Sequence, residues 1–125
     1  MVKVVCDTSF LMAVASKKIK NITSVDTEIG DLEFVVPNLV MGELERISKG
    51  NSKKKSSALG ALEISQDLEK IKISGTSVDE ALALHVKKHR GIVATIDIEL
   101  KKKIKENGGS VISLASNKIV LEQSK

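Results

Sequence analysis

The chain has no Trp and no Tyr, and only two Phe, one Cys and one Pro among its 125 residues. With Phe10 and Phe34 as the only rings able to stack on a base, an aromatic platform for single strands is a poor fit. A single cysteine cannot form an internal disulfide, and Cys6, set among Val2, Val4 and Val5, reads as a small buried hydrophobe. Pro37 lies inside the chain and marks no linker, and no segment repeats with a period of about 20–50 residues. One unit spanning residues 1–125 is therefore expected. No apolar run approaches the roughly 18–20 residues needed to cross a bilayer, and MVKVVCDTS lacks both an apolar signal segment and a small-residue cleavage site. The expected location is the cytoplasm, with no membrane partner.

What is present is the composition of a globular domain, 42% hydrophobic and 29% charged, with a net charge of +4. That balance permits phosphate-bearing partners without requiring them. If the partner is a nucleic acid, lysines and metal ions must do most of the holding. Five short runs rich in Val and Ile read as strands: VKVVC (2–6), EFVV (33–36), IKIS (71–74), GIVAT (91–95) and SVISL (110–114). Helical patterns lie between them at about 8–17, 22–29, 38–48, 53–70, 78–90 and 97–107. Alternation of this kind predicts parallel strands joined by right-handed helical crossovers. The fold class is α/β, a three-layer α/β/α sandwich around a central parallel sheet of about five strands. Ser77 and Glu80 have capping-box spacing at the start of a helix, and GNSKKKSS (50–57) reads as an exposed basic bend.

In an open parallel sheet, ligands bind outside the carboxyl ends of the strands, so acids that follow strands carry the most information. Asp7 directly follows VKVVC, and Asp97 follows IVAT after one residue. Glu43 is placed by helical phase: Val40, Leu44 and Ile47 form a core-facing stripe, and Glu43 stands at its border while Glu45 faces away. A carboxylate there needs a partner, either Arg46 at i+3 or a metal. For Asp79, the favourable interaction of an acid with a helix N-terminus competes evenly with a functional role. Acids converging on one crevice repel each other unless divalent cations neutralise them, and oxygen donors suit Mg²⁺ or Mn²⁺. Zinc fits poorly, because the only cysteine lies in a strand. His85 and His89 share the helical stripe of Val78, Ala81 and Leu82 and are expected to pack or hydrogen-bond rather than to ligate a metal.

The order of these residues resembles the PIN domain nucleases, and the likeness covers nearly the whole chain. DTSFLM (7–12) resembles the family's opening D-T-[NS]-x-[LF]-[LIM]. VVPNLVMGELERISKG (35–50) resembles its second motif, with the acid at Glu43. SVDEAL (77–82) is similar to its third motif, and ATIDIELKKKIKENGGSVI (94–112) to its T-N-D-x-x-L segment and last strand. The resemblance implies metal-binding catalytic carboxylates at Asp7, Glu43, Asp79 and Asp97, with Ser9 and Thr95 as supporting hydroxyls and Glu80 as a neighbouring acid. Ile96 departs from the family's common Asn, although members with T-x-D exist. Such a departure puts the support around the site in doubt.

The implied activity is a metal-dependent endoribonuclease that leaves a 5′-phosphate and a 3′-hydroxyl, using Mg²⁺ or Mn²⁺. Lys101, Lys102 and Lys103 are candidates for guiding the RNA backbone, against the alternative of an ordinary solvated helix face. Two biological settings compete within this class. One is ribosomal RNA processing, which VVPNLVMGELERISKG and GGSVISL suggest by likeness to archaeal relatives of eukaryotic processing factors. The other is the toxin of a toxin-antitoxin pair. The corresponding partners are a ribosome-assembly factor or an antitoxin, and the family also allows a homodimer. A rival reading, motivated by Ile96 and the scarcity of aromatics, is an inactive PIN-like module that binds RNA or protein. A receiver-type phosphoacceptor is disfavoured because IKISGTS carries no Asp to accept the phosphate.

Overall fold

The computed structural model describes residues 2–17, 31–115 and 118–122. In chain order the elements are β1 (Val2–Cys6), α1 (Thr8–Ser16), β2 (Leu32–Pro37), α2 (Asn38–Ser48), α3 (Lys55–Ser65), β3 (Glu69–Ile71), α4 (Val78–His89), β4 (Ile92–Ala94), α5 (Ile98–Glu106), β5 (Ser110–Ala115) and β6 (Lys118–Glu122). They build a six-stranded sheet of order β3-β2-β1-β4-β5-β6. All neighbours run parallel except β5 and β6. Helices α1, α2 and α3 pack on one another, and α4 packs on α5, giving the two helical layers around the sheet.

Because β1 hydrogen-bonds to both β2 and β4, the winding direction reverses between β1 and β4. That reversal opens a crevice at the carboxyl ends of these two strands. Their sequences suit a position covered on both faces: Val4, Val5, Cys6, Ile92, Val93 and Ala94 are all buried. Burial pushes the Cys6 thiol far above its ordinary value, so it packs as a hydrophobe and stays protonated. Phe10 of α1 stacks on Phe34 of β2 with ring centroids 6.0 Å apart, which locks the first helix onto the sheet.

On the other face, Gly109 lets α4 and α5 close over the start of β5. A Cβ there would stand 2.5 Å from Val86 Cγ1, 2.9 Å from Ile104 Cγ2 and 3.3 Å from the Gly91 carbonyl. Gly109→Ala is therefore expected to destabilise the fold by about 1–3 kcal/mol through overpacking, measured as a lower urea midpoint at unchanged m-value. Wild-type stability in that variant would show that the helices yield at no cost.

The expected architecture holds, with instructive differences. The third strand is Glu69–Ile71 rather than 71–74, and the preceding helix ends at Ser65. Pro37, paired with Ile71, is the last residue of β2 before its chain turns into α2, so no ladder partner exists beyond it. The Ile73 N–H instead donates to Asn38 Oδ1 at 2.8 Å. A sixth strand, β6, exceeds the five expected, and its antiparallel pairing covers the edge of β5. The helix expected at 22–29 lies outside the described residues. Residues 50–54 are exposed or half-buried turn and bend, and α3 starts at Lys55, as the basic bend implied. No helix among the described residues is long and apolar enough to cross a membrane.

Candidate active site

Asp7 leaves β1 with its backbone N–H donating to the Ala94 carbonyl at 2.8 Å, which pins it beside the end of β4. Its side chain is buried, at 4% exposure. Two hydroxyls converge on one carboxylate oxygen: Ser9 Oγ donates to Asp7 Oδ2 at 2.6 Å and Thr95 Oγ1 donates to the same oxygen at 2.8 Å. Each hydroxyl has one proton, so the 3.1 Å approach of Ser9 Oγ to Thr95 Oγ1 is a meeting of two acceptors when both protons serve Asp7. Their lone pairs take backbone donors from the next loop. The Ile96 N–H donates to Ser9 Oγ at 3.2 Å, and the Asp97 N–H donates to Thr95 Oγ1 at 3.1 Å.

This network answers the question raised by Ile96. The bond made at that position comes from the main chain, which any residue other than proline supplies, while the Ile96 side chain is 40% exposed. The departure from Asn therefore leaves the observed support of Asp7 intact.

Burial raises the Asp7 carboxyl above its ordinary value. The Ser9 and Thr95 hydroxyls oppose the shift, the Asp79 charge adds to it, and the Thr8 N–H also opposes it. Thr95 is fully buried, so Thr95→Val keeps shape and removes the hydroxyl. The expected result is a loss of about 1–3 kcal/mol, as Asp7 loses a donor and the Asp97 N–H an acceptor. The Asp7 carboxyl should also rise further. A carboxylate chemical shift that titrates no higher in the variant would contradict this role for Thr95.

Asp79 occupies the first turn of α4, whose cap is Ser77, with its Oγ accepting from the Glu80 N–H at 3.2 Å. Burial raises the Asp79 carboxyl, Asp97 adds to the rise, Lys103 opposes it, and Glu43 adds a smaller push. Asp79 is thus the electrostatic centre of the group, within reach of Asp7, Asp97 and Glu43. Glu43 is half-buried on α2, where its partner Arg46 stands 3.9 Å away with a largely exposed side chain. A pair that long and that exposed contributes little, so it does not neutralise the acid. Asp97 caps α5: its Oδ1 accepts from the Glu99 N–H at 2.9 Å and the Leu100 N–H at 3.2 Å. The structure thus brings all four sequence-selected acids to the same edge of the sheet.

The other selected residues divide. Glu80 accepts from Thr76 Oγ1 at 2.9 Å rather than reaching back to its own helix cap, and it is exposed. Lys101 donates to Glu122 of β6 at 2.7 Å, and Lys105 donates to the same carboxylate at 3.1 Å. These bonds hold Glu122 below the usual carboxylate range, chiefly through Lys101. Lys101 and Lys105 thus share one carboxylate, which leaves this pair of lysines with a net positive charge and ties Lys101 to β6. Lys102 and Lys103 are exposed, and Lys103 is the one whose charge reaches Asp79. His85 is half-buried and His89 exposed, with ring centroids 4.8 Å apart, so only the first meets the expectation of packing.

One feature near the site leaves no mark in the sequence. Thr8 Oγ1, next in the chain to Asp7, is buried and has no hydrogen-bond partner among the described residues. A buried orphan hydroxyl marks a place for a water or ion. No group of three or more His, Cys, Asp or Glu among the described residues forms a ready-made metal cage. The donor set nevertheless fits a hard divalent cation: oxygen ligands only, mutual repulsion at Asp79, and an unsatisfied hydroxyl beside Asp7.

Comparison with known proteins bears on the family and the fold. A family model described as a PIN-like domain matches residues 4–117. The chain is similar to Ribonuclease VapC4 of Methanocaldococcus jannaschii, 31% identical over 123 residues and covering 94% of each chain. Among solved structures it is similar to the PIN domain endonuclease Utp24, with a TM-score of 0.80 and 28% identity, covering 96% of this chain and 90% of that one. A domain of a functionally unknown protein from Methanocaldococcus jannaschii matches with a TM-score of 0.67 at 15% identity, covering 93% of each chain; it supports the fold alone. With a family match over nearly its whole length and a relative above 30% identity, the chain belongs to the PIN-like domain family.

Proposed function

We propose that this protein is a divalent-cation-dependent endoribonuclease that hydrolyses RNA phosphodiester bonds. The observation that carries the reading is that Asp7, Glu43, Asp79 and Asp97 stand at the carboxyl edge of the sheet, with the charges of Asp97 and Glu43 acting on Asp79 and that of Asp79 on Asp7. The names of its relatives, a ribonuclease and a PIN domain endonuclease, support the same chemistry.

Asp7, Glu43, Asp79 and Asp97 would hold Mg²⁺ or Mn²⁺. Such an ion, when bound, lowers the pKa of a water and stabilises charge at a phosphoryl oxygen. The chain's own groups do the rest. Ser9 and Thr95 fix the Asp7 carboxylate in one orientation and tie it to the backbone of residues 96 and 97. The N-terminus of α5 orients Asp97 through its capping bonds, leaving Oδ2 for other work. Lys103 offsets part of the negative charge felt by Asp79, and with Lys102 it offers exposed cations to a phosphate backbone. Glu80 remains a peripheral acid in this scheme.

Asp97→Asn separates cap from catalysis, since Asn caps a helix about as well as Asp. Mn²⁺-dependent cleavage of a structured RNA should fall on the order of 10²-fold, with stability changed by less than about 0.5 kcal/mol. Wild-type cleavage by the purified variant would remove Asp97 from the reaction. The partner is an antitoxin if the protein is a toxin, or a ribosome-assembly factor if it matures ribosomal RNA. An adjacent short antitoxin-like reading frame would decide for the toxin. A homodimer is the assembly we propose to test by light scattering.

A further inference from the structure

Helix α4 delivers Asp79 to the acidic crevice at its N-terminus and ends at His89, beside the start of β4. Along its flank lie two cavities of about 280 and 330 Å³ that share Lys72, His85 and His89 and so adjoin, together making a cleft. Ser74 and Ala81 bound the end near the α4 cap, and Val5, Val35 and Ile71 provide an apolar floor from three strands. Among the described residues, no Asp or Glu lines either cavity.

The positive charge of the cleft can be assigned. Lys3 is matched by Glu69 at 3.3 Å, and the Arg90 guanidinium lies over Gly108. Burial, with His89 adding to it, holds His85 below its ordinary value, so it meets a ligand at neutral pH as a donor and acceptor without charge. Lys72, Lys88 and Arg90 are exposed and supply the remaining charge, the two lysines at the end near the α4 cap.

We propose that this cleft is an RNA-binding exosite, in which Lys72 and Lys88 hold the sugar–phosphate backbone of a single strand whose continuation enters the acidic crevice. The inference rests on the nuclease reading above and extends it to where the substrate lies. With a rise of about 1.5 Å per residue and about 3.6 residues per turn, the nine steps from Asp79 to Lys88 set them roughly 14 Å apart along α4 and on opposite sides of it, so the strand must round the cap of α4 to reach the crevice. At about 3.4 Å per nucleotide, that path takes at least about four nucleotides. RNA is favoured over an acidic peptide because the cleft ends next to the helix cap that presents Asp79, where the proposed reaction needs a phosphodiester. An apolar floor beneath a lysine rim also suits riboses and bases lying under their phosphates.

The test is fluorescence anisotropy of a fluorescein-labelled 12-nucleotide single-stranded RNA with the full chain, in EDTA so that no cleavage proceeds. The double variant Lys72→Gln/Lys88→Gln should bind on the order of tenfold more weakly, with a salt slope shallower by about 1.4. Lys87→Gln, an exposed lysine of the same helix outside the cleft, should bind as wild type does. Unchanged affinity and slope in the double variant would overturn the proposal. So would loss of poly-glutamate peptide binding with RNA binding retained, which would assign the cleft to an acidic protein partner. Hydrolysis of bis(p-nitrophenyl) phosphate by the wild-type protein with Mn²⁺ reads the chemistry separately. Its absence beside lysine-dependent RNA binding would remove the nuclease reading and leave the exosite standing.

Discussion

Asp7→Asn is expected to lose RNA cleavage on the order of 10³-fold or more and, in EDTA at neutral pH, to be more stable than the wild type. The first effect follows from membership of a group of acids that acts as a unit, where one loss removes most of the rate. The second follows from burial. An Asn keeps an oxygen that accepts from Ser9 and Thr95, so those two bonds survive. What it removes is a negative charge enclosed at 4% exposure and repelled by Asp79. Greater stability with less activity is the signature of a residue placed for function at the expense of folding.

The pH dependence has a definite sign. Asp7 is raised from an ordinary value of 3.8 in the folded state, so between the two values the native protein binds more protons than the unfolded chain. Stability without divalent cation should therefore fall as pH rises through that window, and the whole penalty is in place above the folded value. Asp79, raised mainly by burial and by Asp97, acts in the same direction. The stability difference between Asp7→Asn and wild type should be negligible near pH 3 and grow toward pH 7. Added Mn²⁺ should reverse it, because an ion that binds only the native wild type stabilises it by mass action. Thermal unfolding across pH, with EDTA and with Mn²⁺, gives both readings. A variant less stable than wild type at pH 7 in EDTA would refute the electrostatic account of Asp7.

Much of this site was legible because strand ends and helix phase have sequence signatures. Asp7 and Asp97 stand just past apolar runs, and Glu43 keeps step with Val40 and Leu44, both fully buried. Asp79 was undecided because an acid in a first turn has an electrostatic reason to be there anyway. The structure supplied its relation to Asp97 and Glu43, which lie far from it in sequence. Backbone donors leave no such mark, so the Ile96 N–H that serves Ser9 could not be read from the side chain at that position. The pairing of Lys101 is hidden in the sequence for a related reason. Its partner Glu122 lies on β6, where KIVLE (118–122) is a short apolar run between two charges, without the alternation that marks a half-buried strand. The third strand was placed late because its end depends on where β2 becomes a helix.

Phe10→Ala should produce the largest loss of stability, about 3–5 kcal/mol, by emptying a fully buried ring site in a core with few large side chains. With only two aromatic residues in the chain, and those two stacked on each other, nothing of similar size stands ready to fill the space. A domain of ordinary stability, about 5–15 kcal/mol, would keep only part of its margin. The consequence extends to the site, because Phe10 follows Ser9 on α1 and its packing on Phe34 sets how that helix meets the sheet. Ser9 must reach both Asp7 Oδ2 and the Ile96 N–H, so a loosened α1 weakens both bonds at once. Cleavage at low temperature, where the variant is still folded, should therefore fall as well. Phe10→Leu keeps most of the volume and should recover most of the stability and the rate. Urea unfolding of the two variants, read with cleavage at one temperature, tests the link. Full activity in a folded but strongly destabilised Phe10→Ala would show that Ser9 is positioned by its own hydrogen bonds and not by the packing of α1.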